Sequence, residues 1–360
     1  IIEVQYLMNT LKDLTFDNIY HEHYNYWSLT SLINFFNQFD AKIYRSERVN
    51  THGGSIRIYV KKENKIKIEQ SVKKMLKEEE NFGIKKFKTY KEFGENRIRD
   101  FPVSESLMTS AALGAAIDGR RVILVHIRLD FMFYSMDAIV NWLSLWRFKS
   151  NGNSSAPVVI RAIVGKGWGN GPQHSKSTHS WFANLPGIRV GLPTNAFDAK
   201  GMLLDSIFSD DPTILIEHRT FFGLKDYVPT SPYRIEFGKA KVVNKGNDIS
   251  IVTIGYGILP TMKAVEILKK QKIFAEVIDI RSLYPLDIKT VLKSVKKTKR
   301  LMVVDPSWKS FGASSEIITS VIESFGDKLK TKPIRVSYPD SHTPMSENLE
   351  KKYYFDHKKL

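Results

Sequence analysis

Two stretches of this chain, residues 99–219 and 248–338, alternate short apolar runs with helical segments, and that alternation restricts the fold more than any other feature. RRVILVHIRL, PVVIRAIV, RVGLPT and TILIEHR carry the first series; DISIVTIG, AEVIDI, RLMVVD and PIRVSY carry the second. Between them lie helical words such as AFDAKGMLLDSIFS, LPTMKAVEILKKQ and SSEIITSVIESF. Strands that are apolar on both faces cannot leave either face in water, so they predict parallel sheets covered by helices on both sides. The expected fold class is α/β, with two doubly wound, mainly parallel-sheet domains. LKDYVPTSPYRIEFG, with its prolines, reads as the linker between them. Residues 1 to about 92 read as a smaller α+β segment: an amphipathic helix, a strand, a glycine turn, another strand and the helix SVKKMLKEEENFG.

Chemistry is concentrated between Arg99 and Asn141. A turn at Pro102–Ser104 leads into a helix opened by Glu105, which carries Ser106, Ser110, Ala111, Ala112, Gly114, Ala115 and Ala116. So many small side chains predict a backbone or ligand close against the helix. Gly119 suits the C-terminal cap. The strand RRVILVHIRL follows, and Asp130-Phe131 arrives at its carboxyl end, where ligands gather in open α/β sheets. A carboxylate at a helix start also complements the helix dipole, and a Phe after a strand also serves a core. Both readings stand on the pattern alone.

The chain has 360 residues and 42% hydrophobic content, enough for two or three soluble-type domains. It has no Cys, which excludes disulfides, thiol nucleophiles and cysteine zinc sites. No apolar run approaches a membrane span and no signal-peptide pattern opens the chain, so the expected location is cytoplasmic. It begins Ile-Ile rather than Met, as a fragment or processed product would. The net charge of +16 raises nucleic acid as a partner, but the lysines are dispersed, as in Lys85-Lys86 and Lys296-Lys297, and no nucleic-acid module accompanies them. Neither nucleic acid nor membrane is expected as a partner.

FPVSES before a small-residue helix, then DFMFYSMDAIVNWLSLWRFKSNG and GPQHSKS, resemble the beta subunit of the thiamine-diphosphate-dependent 2-oxoacid dehydrogenases of pyruvate, branched-chain and acetoin type. The likeness continues in order through LPGIRVGLPTNAFDAKGML, DDPTILIEHR, AEVIDIRSLYPLD and PDSHTPMSENLEKKYY. It implies a transketolase-like pyrimidine-binding domain over 94–225, N-terminally truncated by about sixty residues relative to the family, and a transketolase C-terminal domain over 240–360 that serves dimerisation. A parallel sheet missing an element exposes an edge and part of a hydrophobic face.

By position, Glu105 corresponds to the acid that hydrogen-bonds the cofactor's aminopyrimidine and promotes its imino tautomer, a role that asks for a dry surround. Phe131 corresponds to the ring that stacks on the pyrimidine, and His174 in GPQHSKS to the histidine that assists near the acyl acceptor, a lipoyl group on a carrier domain. Asp137, Asn141 and Arg147 are given structural roles, and the loop SIFSDDP matches one that holds a monovalent cation in related subunits. The family's G-D-G motif for magnesium and diphosphate lies on the alpha subunit and is not found here; Gly326-Asp327 is followed by Lys328. The resemblance therefore implies thiamine diphosphate with Mg2+ supplied through an alpha partner, and a heterotetramer with two beta chains.

The first 93 residues are similar instead to the C-terminal part of the sugar-nucleotide C-methyltransferases, whose F-D-x-I-Y-H-E-H word stands here as Phe16 to His23, with HGGS at His52 to Ser55. His21 and His23, two apart, suit one face of a strand, and a hydrogen-bonded polar cluster is expected ahead of a metal site. The resemblance gives Tyr20 and His23 acid–base roles at a sugar carbon, with Glu22 between them. The family's methyl-donor domain is not in this sequence. The alternative function is thus a sugar-nucleotide-binding remnant or an inactive truncated fusion, with its seam near Phe93-Gly94.

Overall fold

A computed structural model of the chain describes residues 1–12, 27–49, 55–63, 66–82, 101, 103–167 and 169–360. They form two compact units, Ile1–Val103 and Ser104–Leu360.

The first unit contains β1 (Ile2–Gln5), α1 (Leu7–Lys12), α2 (Leu29–Asn37), β2 (Lys42–Val49), β3 (Ser55–Lys61) and α3 (Gln70–Phe82). Its antiparallel sheet has the order β1-β3-β2, and α2 and α3 pack on β2 and on each other. Leu29, Leu32, Ile43, Ile56, Ile58, Val72 and Met75 fill the core. Glu79 is buried, and its carboxylate accepts the backbone N–H groups of Leu29 at 2.5 Å and Thr30 at 3.0 Å, with the Thr30 hydroxyl at 2.7 Å. It thereby serves N–H groups that the first turn of α2 cannot satisfy internally.

The second unit runs α4 (Glu105–Ile117), β4 (Val122–His126), α5 (Trp146–Lys149), β5 (Val158–Val164), α6 (His179–Ala183), β6 (Arg189–Gly191), α7 (Ala196–Ile207) and β7 (Thr213–His218). It continues with β8 (Lys241–Asn244), β9 (Ile249–Thr253), α8 (Ile258–Lys270), β10 (Ala275–Asp279), β11 (Ser282–Tyr284) and α9 (Ile288–Thr298). β12 (Leu301–Trp308), α10 (Ala313–Phe325), β13 (Ile334–Tyr338) and α11 (Glu347–Tyr353) complete it. The orders are β11-β6-β7-β5-β4 and β13-β12-β9-β10-β8, parallel except where β11 meets β6 and β8 meets β10. The expected pair of mainly parallel sheets is present, and one hydrophobic cluster runs from Leu124 and Ile160 through Val252 to Ile317.

Two details differ from the expectation. The run RRVILVHIRL gives a strand of only five residues, at the sheet edge, with Ile123 47% and Val125 38% exposed. It stops at His126 because Leu129 turns inward, its N–H donating to the Ile163 carbonyl at 2.9 Å, and a 3-10 turn starts at Phe131. The second difference is β11, which leaves the second βα series to pair with β6 of the other sheet, its Ser282 opposite Gly191. That exchange stitches the two halves of the unit together.

The C-terminal cap of α4 is as expected. Gly119 has φ +88°, its N–H donates to Ala116 and that of Arg120 to Ala115, the paired bonds of a Schellman ending. Register then sets the site. β5 and β7 end level, with Val164 opposite His218, and β4 stops two residues short, with His126 opposite Ala162, so the loops that follow emerge at one edge.

Candidate active site

Glu105 is the first residue of α4, after an extended Ser104 whose side chain makes no cap bond, and it is half-buried. One turn on, the buried Thr109 hydroxyl lies 2.8 Å from the Glu105 carbonyl, 3.0 Å from His126 Nε2 and 2.9 Å from Ser135 Oγ. The single Thr109 proton is shared between the Glu105 carbonyl and Ser135 Oγ, both of which accept from Thr109, and His126 Nε2 completes the set of partners. Ser135 closes the 3-10 turn Phe131–Ser135, so this triad locks the start of α4 to the turn that carries Phe131.

Burial pushes His126 down to about 4, which keeps the imidazole neutral. A folded value below the unfolded one means that the unfolded chain binds more protons between pH 6.5 and about 4, so stability falls as pH falls through that window. The stability of the native chain relative to a His126→Asn variant is expected to drop by about 3 kcal/mol between pH 7 and pH 4. Denaturant melts of both proteins across that range check it; parallel curves would contradict it.

Phe131 meets His174 edge to face, with ring centroids 5.3 Å apart. His174 comes from the glycine-rich loop after β5, where a Cβ on Gly165 would lie 2.4 Å from the His174 carbonyl oxygen. Only glycine lets the two backbones approach this closely. The loop is pinned at its C-terminal end by two residues, Lys176 and His179. Asp130 Oδ1 accepts the Lys176 N–H at 3.1 Å, with the Lys176 ammonium 3.6 Å away. Burial raises Asp130 to about 6 despite that lysine. Three residues after Lys176, fully buried His179 lies with Nε2 2.8 Å from Asp305 Oδ1 of β12. Asp305 also accepts from the Ser307 hydroxyl at 3.0 Å and the Ser314 N–H at 2.9 Å. Burial pushes the Asp305 carboxyl up, but His179 and these donors outweigh it and hold the group below the ordinary aspartate value.

Of the residues singled out in the sequence, Phe131 and His174 come into contact, and Glu105 is joined to the turn of Phe131 through Thr109 and Ser135. The dry surround expected for Glu105 is not supplied by the described residues, since its side chain is only half-buried. Tyr20, Glu22 and His23 lie outside the described residues. Asn141 donates to Asp137 at 2.8 Å and Arg147 pairs with Asp211 at 2.5 Å, both at the surface, in keeping with structural roles. In the loop SIFSDDP the Ile207 and Ser209 carbonyls accept from the Arg121 guanidinium at 3.0 and 2.6 Å, and Asp210 pairs with it at 2.7 Å. Those oxygens are already served by an internal cation. Sequence reading missed Thr109, His126, Ser135, His179 and Asp305; the one signal available was a polar residue on the buried face of α4, one turn after Glu105.

Residues 72–223 match the family Transketolase, pyrimidine binding domain, and residues 238–360 match Transketolase, C-terminal domain. The first match begins ahead of the seam read at Phe93-Gly94. The acetoin:2,6-dichlorophenolindophenol oxidoreductase subunit beta of Cupriavidus necator is 39% identical over 258 residues, covering 72% of this chain and 76% of that protein. The chain belongs to the beta-subunit family of thiamine-diphosphate-dependent 2-oxoacid dehydrogenases. Pyruvate dehydrogenase E1 component subunit beta of Staphylococcus aureus is 36% identical over the same length, covering 71% and 79%. The counterpart from Bacillus subtilis is 35% identical. A solved structure described as a split gene transketolase, inactive beta4 tetramer, has a TM-score of 0.60 at 19% identity, over 75% of this chain and 82% of that one, which shows the shared fold. Membership in this beta-subunit family brings thiamine diphosphate as coenzyme and oxidative decarboxylation of 2-oxo acids as the chemistry. Among the described residues no helix is long and apolar enough to cross a membrane.

Proposed function

We propose that this chain supplies the aminopyrimidine side of the thiamine diphosphate site, with Glu105, Phe131 and His174 as its working residues. The observation that carries the reading is the Phe131–His174 contact beside a helix opened by a carboxylate and locked to the same turn. The residues present fit one half of the cofactor. Glu105 offers an acid, Phe131 a ring face, and the exposed Ser106, Ser110, Ala111 and Gly114 leave α4 bare for close approach. Magnesium and the diphosphate are assigned to an alpha subunit, as the family resemblance implies.

When bound, the coenzyme supplies a carbon nucleophile and an electron sink for decarboxylation. The task of Glu105 is to share a proton with the pyrimidine ring, and the half-burial of its side chain is consistent with a partner chain drying it. Phe131 fixes the plane of the ring. His174, held by Phe131 and by the Gly165 contact, holds or moves a proton next to the acyl acceptor, proposed as a lipoyl group. Self-association through residues 240–360, a heterotetramer and a cytoplasmic site belong to the same reading, as do the boundaries 94–225 and 240–360. Residues 1–93 are proposed as a C-methyltransferase fragment.

Reconstitution tests this. Mixed with a cognate alpha chain, thiamine diphosphate and Mg2+, the protein is expected to form a stable complex that decarboxylates a 2-oxo acid, with no turnover from either chain alone. A complex without turnover would contradict it and support the second reading, an inactive truncated fusion, which the exposed Ile123 and Val125 on β4 also favour.

A further inference from the structure

Asp130 and Thr178 each keep one buried polar atom without a partner, and both line the same cleft. Asp130 is 7% and Thr178 2% exposed. Oδ1 of Asp130 is served by Lys176, but Oδ2 is not, and neither is the Thr178 hydroxyl. Buried acceptors left this way are costly and uncommon in folded proteins, so each asks what completes it. The cleft holds about 410 Å3, within the range of small-molecule sites. Its walls are aromatic, from Phe131, Phe133, Trp181 and Trp308, and Gln173 and Lys176 stand among them.

Charge and shape narrow the occupant. An anion would face the Asp130 carboxylate, and a cation would face the Lys176 ammonium 3.6 Å from it. The pair neutralises itself, so the ligand needs no net charge. A flat hydrocarbon ring would cover the aromatic walls yet leave Asp130 Oδ2 and Thr178 Oγ1 without partners. What satisfies both demands is a molecule with C–H faces and O–H edges. We propose that this cleft binds an uncharged, polyhydroxylated compound of the sugar or cyclitol type. Its hydroxyls donate to Asp130 Oδ2 and bond to Thr178 Oγ1, and its C–H face lies against the indoles of Trp181 and Trp308. Because Phe131 is one wall, such a ligand sits beside the ring that His174 also touches. Binding requires neither thiamine diphosphate nor an alpha chain, so the proposal goes beyond the cofactor reading.

The test is a titration of the full chain with D-glucose, N-acetyl-D-glucosamine and myo-inositol, followed by tryptophan fluorescence, with benzoate and indole as hydroxyl-poor controls. At least one hydroxylated probe is expected to give a saturable change that the controls do not. Trp181→Ala and Thr178→Val should each weaken it at least tenfold. Thr178→Val removes an unpartnered buried hydroxyl, so its melting temperature is expected to stay level or rise, which separates a binding role from a structural one. Glu105→Gln, outside the cleft, should leave this binding intact while lowering turnover of the α–β complex, so the two readings fail in different assays. No saturable change with any hydroxylated probe, or full affinity in Thr178→Val, would overturn the proposal.

Discussion

Glu105→Gln, assembled with an alpha subunit, is expected to decarboxylate its 2-oxo acid about a thousandfold more slowly than the native chain, the scale of a lost proton-sharing group. Glutamine keeps the length and one acceptor oxygen but cannot exchange a proton with a ring nitrogen. The change should fall on kcat more than on the 2-oxo acid's KM, because the carboxylate acts on the coenzyme and not on the substrate. Fold and assembly should survive. The side chain is half-buried, and the bonds that hold α4 use the Glu105 carbonyl through Thr109, not its carboxylate. Steady-state kinetics and gel filtration of the complex check both halves. Full turnover in the variant would remove Glu105 from the mechanism.

Gly165→Ala is the second large effect. A Cβ there would stand 2.4 Å from the His174 carbonyl oxygen, a separation that real side chains do not adopt, so the His174 backbone has to move. The loop has little freedom to absorb the shift, since Lys176 is tied to Asp130 and His179 to Asp305. Displacement of a positioned group by about 1 Å costs on the order of a hundredfold in rate. The loss is expected to be larger in acyl transfer to the acceptor than in thiamine diphosphate affinity, because Glu105 is held apart from this loop, through Thr109. Single-turnover measurements of decarboxylation and transfer would separate the steps; equal losses in coenzyme affinity and transfer would contradict the division of roles.

The helices and most strands were legible because local pattern and tertiary need agree. Val158–Val164 is apolar and buried at every position but Arg161, and Gly119 stands where α4 needs a left-handed residue. What was not legible depends on distant partners. β4 looks like a central strand in sequence, yet it lies at the edge, a property set by which neighbour pairs with it. β11 belongs by sequence to one series and by hydrogen bonding to the other sheet. In the site, Glu105, Phe131 and His174 stood out through ordered motifs. The bonds that hold them did not: Thr109 reaches 17 residues to His126 and 26 to Ser135, and His179 reaches 126 residues to Asp305. No local spacing encodes such pairs. The two unpartnered oxygens at Asp130 and Thr178 likewise emerge only once the loop is folded over the cleft.

The account depends on where the pyrimidine ring docks, and a structure of the chain in complex with an alpha subunit, thiamine diphosphate and Mg2+ measures that directly. A Glu105 carboxylate oxygen is expected within about 2.6–3.2 Å of a pyrimidine nitrogen, with the Phe131 ring against its face. A pyrimidine seated on another group, with Glu105 left facing solvent, would contradict it.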